Sequence, residues 1–293
     1  MRTSQVAGLQ ADTARLVVSC RDQQGIIAGV SGLLARLGAN IVGSHQYSTD
    51  PEGGAFFLRM EFHLAGIDGD RERVRAALAP VVERFQMDSK LVFPGERKRL
   101  AIFVSRREHC LLDLLWRWRR HDFEFDLAGV VSNHPDLRYE VEEFGVAYHH
   151  VPVEQGRKPQ AEQKMIELLA GNVDLVVLAR YMQILSGDFL RRIGCPVINI
   201  HHSFLPAFMG ASPYVQAHQR GVKLIGATAH YATEDLDEGP IIEQDVMRVR
   251  QSMSARDLER VGADIERIVL ARAVHWHLDD RLFIHENRTV MLG

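Results

Sequence analysis

The 293-residue chain has only three cysteines, Cys20, Cys110 and Cys195, with none of the spacing that metal sites use. An odd, scattered set excludes a disulfide framework and gives no paired-Cys zinc signature. No run of about eighteen apolar residues exists for a membrane span. Residues 1–15 mix Arg, Gln, Asp and Thr and hold no apolar signal core. A cytoplasmic protein with no membrane partner is the expectation. Basic runs are absent too: 35 Lys+Arg stand against 38 Asp+Glu for a net charge of -3. Nothing advertises a phosphate backbone, so a nucleic-acid partner is not expected. Repeats and low-complexity tracts are also missing. What remains is 46% hydrophobic and 25% charged, enough to bury a real core. At this length two domains are the first expectation.

The first half of the pattern reads as βαββαβ. Arg15–Cys20 is a short apolar strand, and Asp22 or Gln23 opens a helix with Ile26, Ile27, Val30, Leu33, Leu34 and Leu37 at helical spacing. Gly38 supplies its stop. Strands over Asn40–Ser48 and Ala55–Leu64 flank the turn residues of Asp50–Gly54. A helix over Asp70–Phe85 and a strand over Lys90–Phe93 complete a split βαβ sandwich with helices on one face of an antiparallel sheet. Pro94–Arg99 is a polar connector. Beyond it, continuous apolar strands alternate with helices, as at Leu100–Val104, Phe125–Val131, Val173–Ala179 and Pro196–Ile200. Such strands indicate a parallel sheet covered on both faces. Strands over Ile225–Tyr231 and Ile241–Val249, a long helix from about Ser254 to Leu278 and a hairpin around His285–Arg288 follow.

The chemistry-bearing segment is NIHHSFLP, Asn199 to Pro206, directly after the strand PVINI. In open α/β sheets ligands bind where loops diverge at the carboxyl ends of strands. Asn199 and His201 alternate across Ile200, so an extended backbone points both side chains the same way. An amide donor beside an imidazole donor suits a developing oxyanion. A capping Asn with a surface histidine is the bland alternative. The second segment, His230 to Ile242, carries Glu234, Asp235, Asp237 and Glu238 before Gly239-Pro240. Acidic loops are usually plain solvated surface. Here the loop lies between two apolar strands, where a positioned carboxylate completes an acid/base and oxyanion set.

NIHHSFLP, GASPY (Gly210–Tyr214) and LDEGPII resemble the folate-dependent formyltransferase/hydrolase superfamily. The resemblance covers about 190 residues from Arg99 onward. It implies that Asn199, His201 and Asp237 are catalytic. ARYMQIL (Ala179–Leu185) is similar to the family's pterin-cradling segment, which makes Met182, Gln183 and Leu185 folate contacts. The backbone of Ala232, Thr233, Glu234, Asp235 and Leu236 is similar to its folate-binding loop. VVSCRDQQGIIAGVSGLLARLGANI resembles an ACT domain, implying an amino-acid effector, glycine or methionine, near Asp22 and Gly25. Together these imply a ferredoxin-like ACT domain (1–93), a linker (94–98) and a Rossmann-like formyltransferase domain with a mostly parallel sheet (99–293). A homo-oligomer, dimer or tetramer, is implied by the edge-to-edge pairing common among ACT sheets. Two positions depart: Ser212 stands where the family suggests Arg, and Gln24 where ACT loops often carry Pro.

The choice between hydrolysis and transfer turns on another absence. A transferase acting on a ribonucleotide amine, such as glycinamide ribonucleotide, needs a Gly-rich phosphate turn after its first strand. Here that position reads FVSRREHCLL, with no glycine. Water is therefore the expected acceptor, with 10-formyltetrahydrofolate as substrate and formate and tetrahydrofolate as products. Asp237 would take the water's proton, and His201 and Asn199 would hold the oxyanion. No covalent intermediate is implied, since neither Ser203 nor Cys195 has an evident activating base. No cofactor is expected. His149, His150, His201 and His202 are numerous, but without HExxH or paired-Cys spacing a catalytic metal is not expected either. A non-enzymatic amino-acid sensor is the remaining alternative, which the intact triad opposes.

Overall fold

The computed structural model describes residues 12–206 and 213–293, which form two compact units. The first comprises the chain up to Glu96 together with Asp280–His285 and Val290–Gly293. It runs β1 (Thr13–Arg21), α1 (Ile26–Leu37), β2 (Asn40–Ser48), β3 (Ala55–His63), α2 (Arg71–Phe85) and β4 (Asp88–Val92), with a single 3₁₀ turn at Ile67–Asp70. The sheet order is β2-β3-β1-β4, antiparallel throughout. Its core joins Leu16 and Val18 of β1 to Val30 and Leu34 of α1, Met60 and Phe62 of β3, and Phe85 of α2. The helix α1 starts later than the expected Asp22 or Gln23. Gly25 has φ 90, a left-handed conformation that cannot continue a helix backwards. Gly38 closes α1 as expected, at φ 80 with its N–H donating to the Ala35 carbonyl at 3.0 Å. The strands β12 (Leu282–His285) and β13 (Arg288–Met291) follow the last helix. Phe283 of β12 and Leu292, which follows β13, pack with Phe57 in this first unit, the Phe57 and Phe283 rings 5.1 Å apart.

The second unit spans Arg97–Asp279 with Glu286–Thr289. In its seven-stranded sheet, of order β11-β10-β9-β8-β5-β6-β7, β5 (Arg99–Val104) lies parallel to β6 (Asp126–Ser132) on one side and to β8 (Leu175–Leu178) on the other. β7 (Tyr148–His150) extends the β6 side, while β9 (Val197–His201) runs parallel beside β8. The sheet continues antiparallel through β10 (Leu224–Tyr231) and β11 (Ile241–Arg248). The helices are α3 (His109–Arg119), α4 (Arg138–Glu142), α5 (Lys158–Leu169), α6 (Gly187–Ile193), α7 (Pro213–Arg220) and α8 (Ala255–Leu278). The continuous apolar runs become central strands buried on both faces: all four residues of β8 are buried, as are Leu100 to Val104 of β5. α8 begins on a reciprocal cap, in which Asp257 N–H donates to Ser254 Oγ at 3.2 Å and Ser254 N–H to Asp257 Oδ2 at 3.0 Å. The sequence does not mark α7, whose eight residues are too short and too polar to show a helical period.

Candidate active site

The parallel strands β8 and β9 end side by side, and β10 returns antiparallel beside β9. Asn199 pairs in register with Leu178 on one side and His230 on the other. Asn199 and His201 both reach the cleft beyond the strand ends, as their alternation predicts. Asp237 enters from the β10–β11 loop. That loop is tied down by Ala232 N–H to the Val197 carbonyl at 2.8 Å and by Thr233 Oγ1 to the Asp235 carbonyl at 3.0 Å. Gly239 has no alternative: a Cβ there would sit 1.8 Å from the Tyr231 carbonyl oxygen. Asp237 itself adopts φ 59, a conformation that costs a non-glycine residue energy and concentrates at functional sites.

Asp237 meets two imidazoles. Its Oδ2 lies 3.2 Å from His201 Nδ1 and its Oδ1 lies 3.6 Å from His230 Nε2. Burial raises the Asp237 carboxyl, but bonding to His201 and His230 outweighs burial and holds it well below the usual carboxylate range. His230 Nδ1 can only donate to its 3.0 Å partner, the Tyr231 carbonyl. His230 Nε2 lies 3.1 Å from Asn199 Nδ2, a contact that orients the Asn199 amide. His201 is 6% exposed, and its Nε2 has no hydrogen-bond partner among the described residues. With Nδ1 facing the carboxylate at 3.2 Å, Nε2 is the ring nitrogen left for a ligand. An amide, an imidazole and a carboxylate thus converge in a cleft of about 500 Å³, within the usual range for small-molecule sites.

Every folate contact named from the sequence lines this cleft: Met182, Gln183, Leu185 and the run Ala232, Thr233, Glu234, Asp235 and Leu236. Met182 and Leu236 are each more than half exposed, an apolar rim of the kind a planar ring system covers. Glu234 turns its carboxylate to Arg191, so its backbone is the part left for a ligand. The sequence reading missed His230 and Arg180 and weighed His202 only as a metal ligand, yet all three line the cleft. His230 owes its place to cross-strand register and to a bulge between Ala229 and His230 that re-aims the strand. A histidine closing an apolar strand just before the acidic loop was its only readable sign. Burial and the Arg180 charge push His202 down to about 3, so the ring stays neutral.

Other expected positions lie elsewhere. In the first unit, Asp22 N–H donates to the Gly54 carbonyl at 2.7 Å, and its carboxylate accepts from Ser48 Oγ. Gly25 caps α1. Ser212 lies outside the described residues. The three ligand-type side chains that gather among the described residues are His109, Cys110 and Glu266, not the histidines singled out from the sequence. Burial raises the Cys110 thiol well above its ordinary value, so it offers no thiolate. Glu266 is already bonded to His109 and Tyr214. This group is a hydrogen-bonded network of the protein's own side chains.

The fold and site together define a formyl-transferase-fold protein that carries an ACT domain. Residues 98–274 match the formyl transferase family and residues 14–79 the ACT domain. A formyltetrahydrofolate deformylase of Mycobacterium tuberculosis is 55% identical over 282 residues, covering 96% of this chain and 91% of that protein. One of Bacillus subtilis is 52% identical over 283 residues, covering 96% and 94%. The crystal structure of a formyltetrahydrofolate deformylase from Pseudomonas syringae pv. tomato superposes with a TM-score of 0.90 at 45% identity, covering 99% of this chain and 98% of that one. A glycinamide ribonucleotide transformylase from Symbiobacterium toebii reaches a TM-score of only 0.65 at 30% identity, covering 69% of this chain and 97% of its own. The chain belongs to the formyltetrahydrofolate deformylase family.

Proposed function

We infer that the chain hydrolyses 10-formyltetrahydrofolate to formate and tetrahydrofolate. The observation that carries this reading is the convergence of Asn199, His201 and Asp237 on one cleft, in a chain whose near-full-length relatives are deformylases. The pterin lies against Met182, Leu185 and the backbone of Ala232–Leu236, and the formyl carbon reaches the strand ends. Water attacks that carbon while Asp237 orients it. A carboxylate this acidic takes the proton only once the attacking oxygen has bonded to carbon and become acidic in turn. The proton then passes to the departing N10. His201 Nε2–H and the Asn199 amide hold the oxyanion. No cofactor or metal enters these steps. Transfer to glycinamide ribonucleotide is less well supported, since the loop after β5 is glycine-free and its Ser105 Oγ is spent bonding Asn133 at 2.7 Å. The test is formate release from 10-formyltetrahydrofolate alone. Formate is expected without acceptor and at an unchanged rate in chelator; a protein inert until glycinamide ribonucleotide is supplied would overturn the reading.

The released formate would feed purine biosynthesis and balance the one-carbon pool. We place the activity in the cytoplasm, a reading supported by three free cysteines, of which burial raises Cys195 to about 11. The ACT unit then supplies feedback, binding glycine or methionine beside Asp22 and Gly25, within a homo-oligomer of two or four chains. Such coupling is typically worth about 1–3 kcal/mol. Isothermal titration with each amino acid is expected to give saturable heat and a changed hydrolytic rate. Flat titrations with unaltered kinetics would reduce the unit to an assembly domain.

A further inference from the structure

Among the described residues six non-glycine positions have positive φ. Gln86, His121 and Asp280 follow helices and Glu286 turns the C-terminal hairpin, whereas Arg180 (φ 64) and Asp237 (φ 59) line the cleft. Arg180 is held there from the first βα loop. Its carbonyl accepts Ser105 N–H at 3.2 Å, and Ser105 Oγ accepts Met182 N–H at 2.9 Å. The Arg180 residue is 9% exposed, and its Nε lies 3.4 Å from Glu266 Oε2 without a hydrogen bond of its own. Glu266, 1% exposed, is itself clamped by His109 Nε2 at 2.8 Å and Tyr214 OH at 2.6 Å. Gly262 makes the tyrosine's seat, since a Cβ there would lie 2.0 Å from the Tyr214 hydroxyl oxygen. A strained, buried cation is therefore fixed at the wall of the cleft by four separate elements. The hydrolytic steps use none of these groups.

We propose that Arg180, pinned by Glu266, is the specificity residue that reserves the formyl carbon for water by keeping amine acceptors out. This rests on the hydrolase reading and extends it to the choice of acceptor. An aliphatic amine arrives mostly as an ammonium ion and is larger than water. A fixed guanidinium beside His201 and His202 fills the wall and repels that cation, while neutral water meets no such barrier. Removing Arg180 reverses the sign. Glu266 then faces the cleft as a buried carboxylate without its cationic partner, and such a group attracts an ammonium. The ammonium would first give one proton to water; the amine nitrogen would then bond to the formyl carbon, the bond from that carbon to N10 would break, the second amine proton would leave through Asp237, and N10 would gain a proton.

The test supplies the purified full-length protein with 10-formyltetrahydrofolate and excess glycinamide and quantifies formate and N-formylglycinamide. The unmodified chain is expected to make formate, with no more amide than an enzyme-free control. Arg180→Ala is expected to raise the amide-to-formate ratio at least about tenfold, the scale on which one altered pocket contact discriminates. The size-conserving Arg180→Met, which removes charge alone, is expected to raise it less. A folded Arg180→Ala protein with the unmodified product ratio overturns the proposal. So does one making neither product, because Arg180 would then serve hydrolysis itself. Should Arg180→Ala fail to fold, Arg180→Met and Glu266→Gln, which keeps a hydrogen-bonding group for Tyr214 and His109, carry the same comparison. Absence of formate from the unmodified chain would instead remove the hydrolase reading, and the variants' amide yield would still report on acceptor choice.

Discussion

Replacing Asp237 by Asn is expected to lower formate release by about 10²–10⁴-fold, the usual worth of general acid–base catalysis. The amide keeps the shape of the carboxylate and the left-handed turn that carries it, since Asn tolerates positive φ. What it loses is the negative charge facing His201 Nδ1 at 3.2 Å, and with it the carboxylate proposed to take the water's proton. Folate affinity is expected to change little, because the proposed contacts of Ala232–Leu236 are mainly backbone. Asp235→Asn and Glu238→Gln remove neighbouring charges from the same loop and are expected to cost less than threefold. Equal losses across the three variants, or a loss explained by weaker folate binding, would remove Asp237 from the mechanism. The direction of its pKa shift adds a pH criterion. A depressed carboxyl contributes folding stability that is present above its unfolded value, about 3.9, and is lost only as pH falls through the lower folded value. Asp237 therefore stays ionised throughout mild acid, and an activity loss between pH 7 and pH 5 in the unmodified chain has another group as its origin.

The sequence made legible whatever depends on local pattern. Asn199 and His201 could be read because strand alternation puts them on one face at a strand end, and Asp237 because an acidic loop between apolar strands is unusual. The later start of α1 was not legible, because nothing marks Gly25 rather than Asp22 as the last non-helical residue except its φ. His230 is a matter of register: its role needs β10 to lie antiparallel beside β9 with a bulge at Ala229/His230. Arg180 and Glu266 are far apart in sequence and meet only because the loop after β8 comes against α8. Even so, Glu266 left a trace. It falls on the α8 stripe of Leu258, Ile265, Val269 and Leu270, where a carboxylate survives only with partners.

His201→Ala is expected to cut hydrolysis by roughly 10²–10³-fold, the cost of losing one oxyanion donor. The argument rests on the two ends of the ring. Nδ1 is committed to Asp237, while buried Nε2 has no partner until a substrate oxygen supplies one. An Nε2 that bonds the developing oxyanion makes its strongest contact only in the transition state. If so, the loss should fall on kcat, with KM for the formyl folate nearly constant, because the interaction strengthens as charge develops on the oxygen. Asn199→Ala should behave alike, and His230→Ala should reproduce part of that loss by freeing the Asn199 amide it now orients at 3.1 Å. The double variant His201→Ala/Asn199→Ala should lose less than the product of the two single losses if both donors serve one oxyanion. Rates that multiply without coupling, or a KM that rises while kcat holds, would place these side chains in ground-state folate binding and leave the oxyanion to other donors.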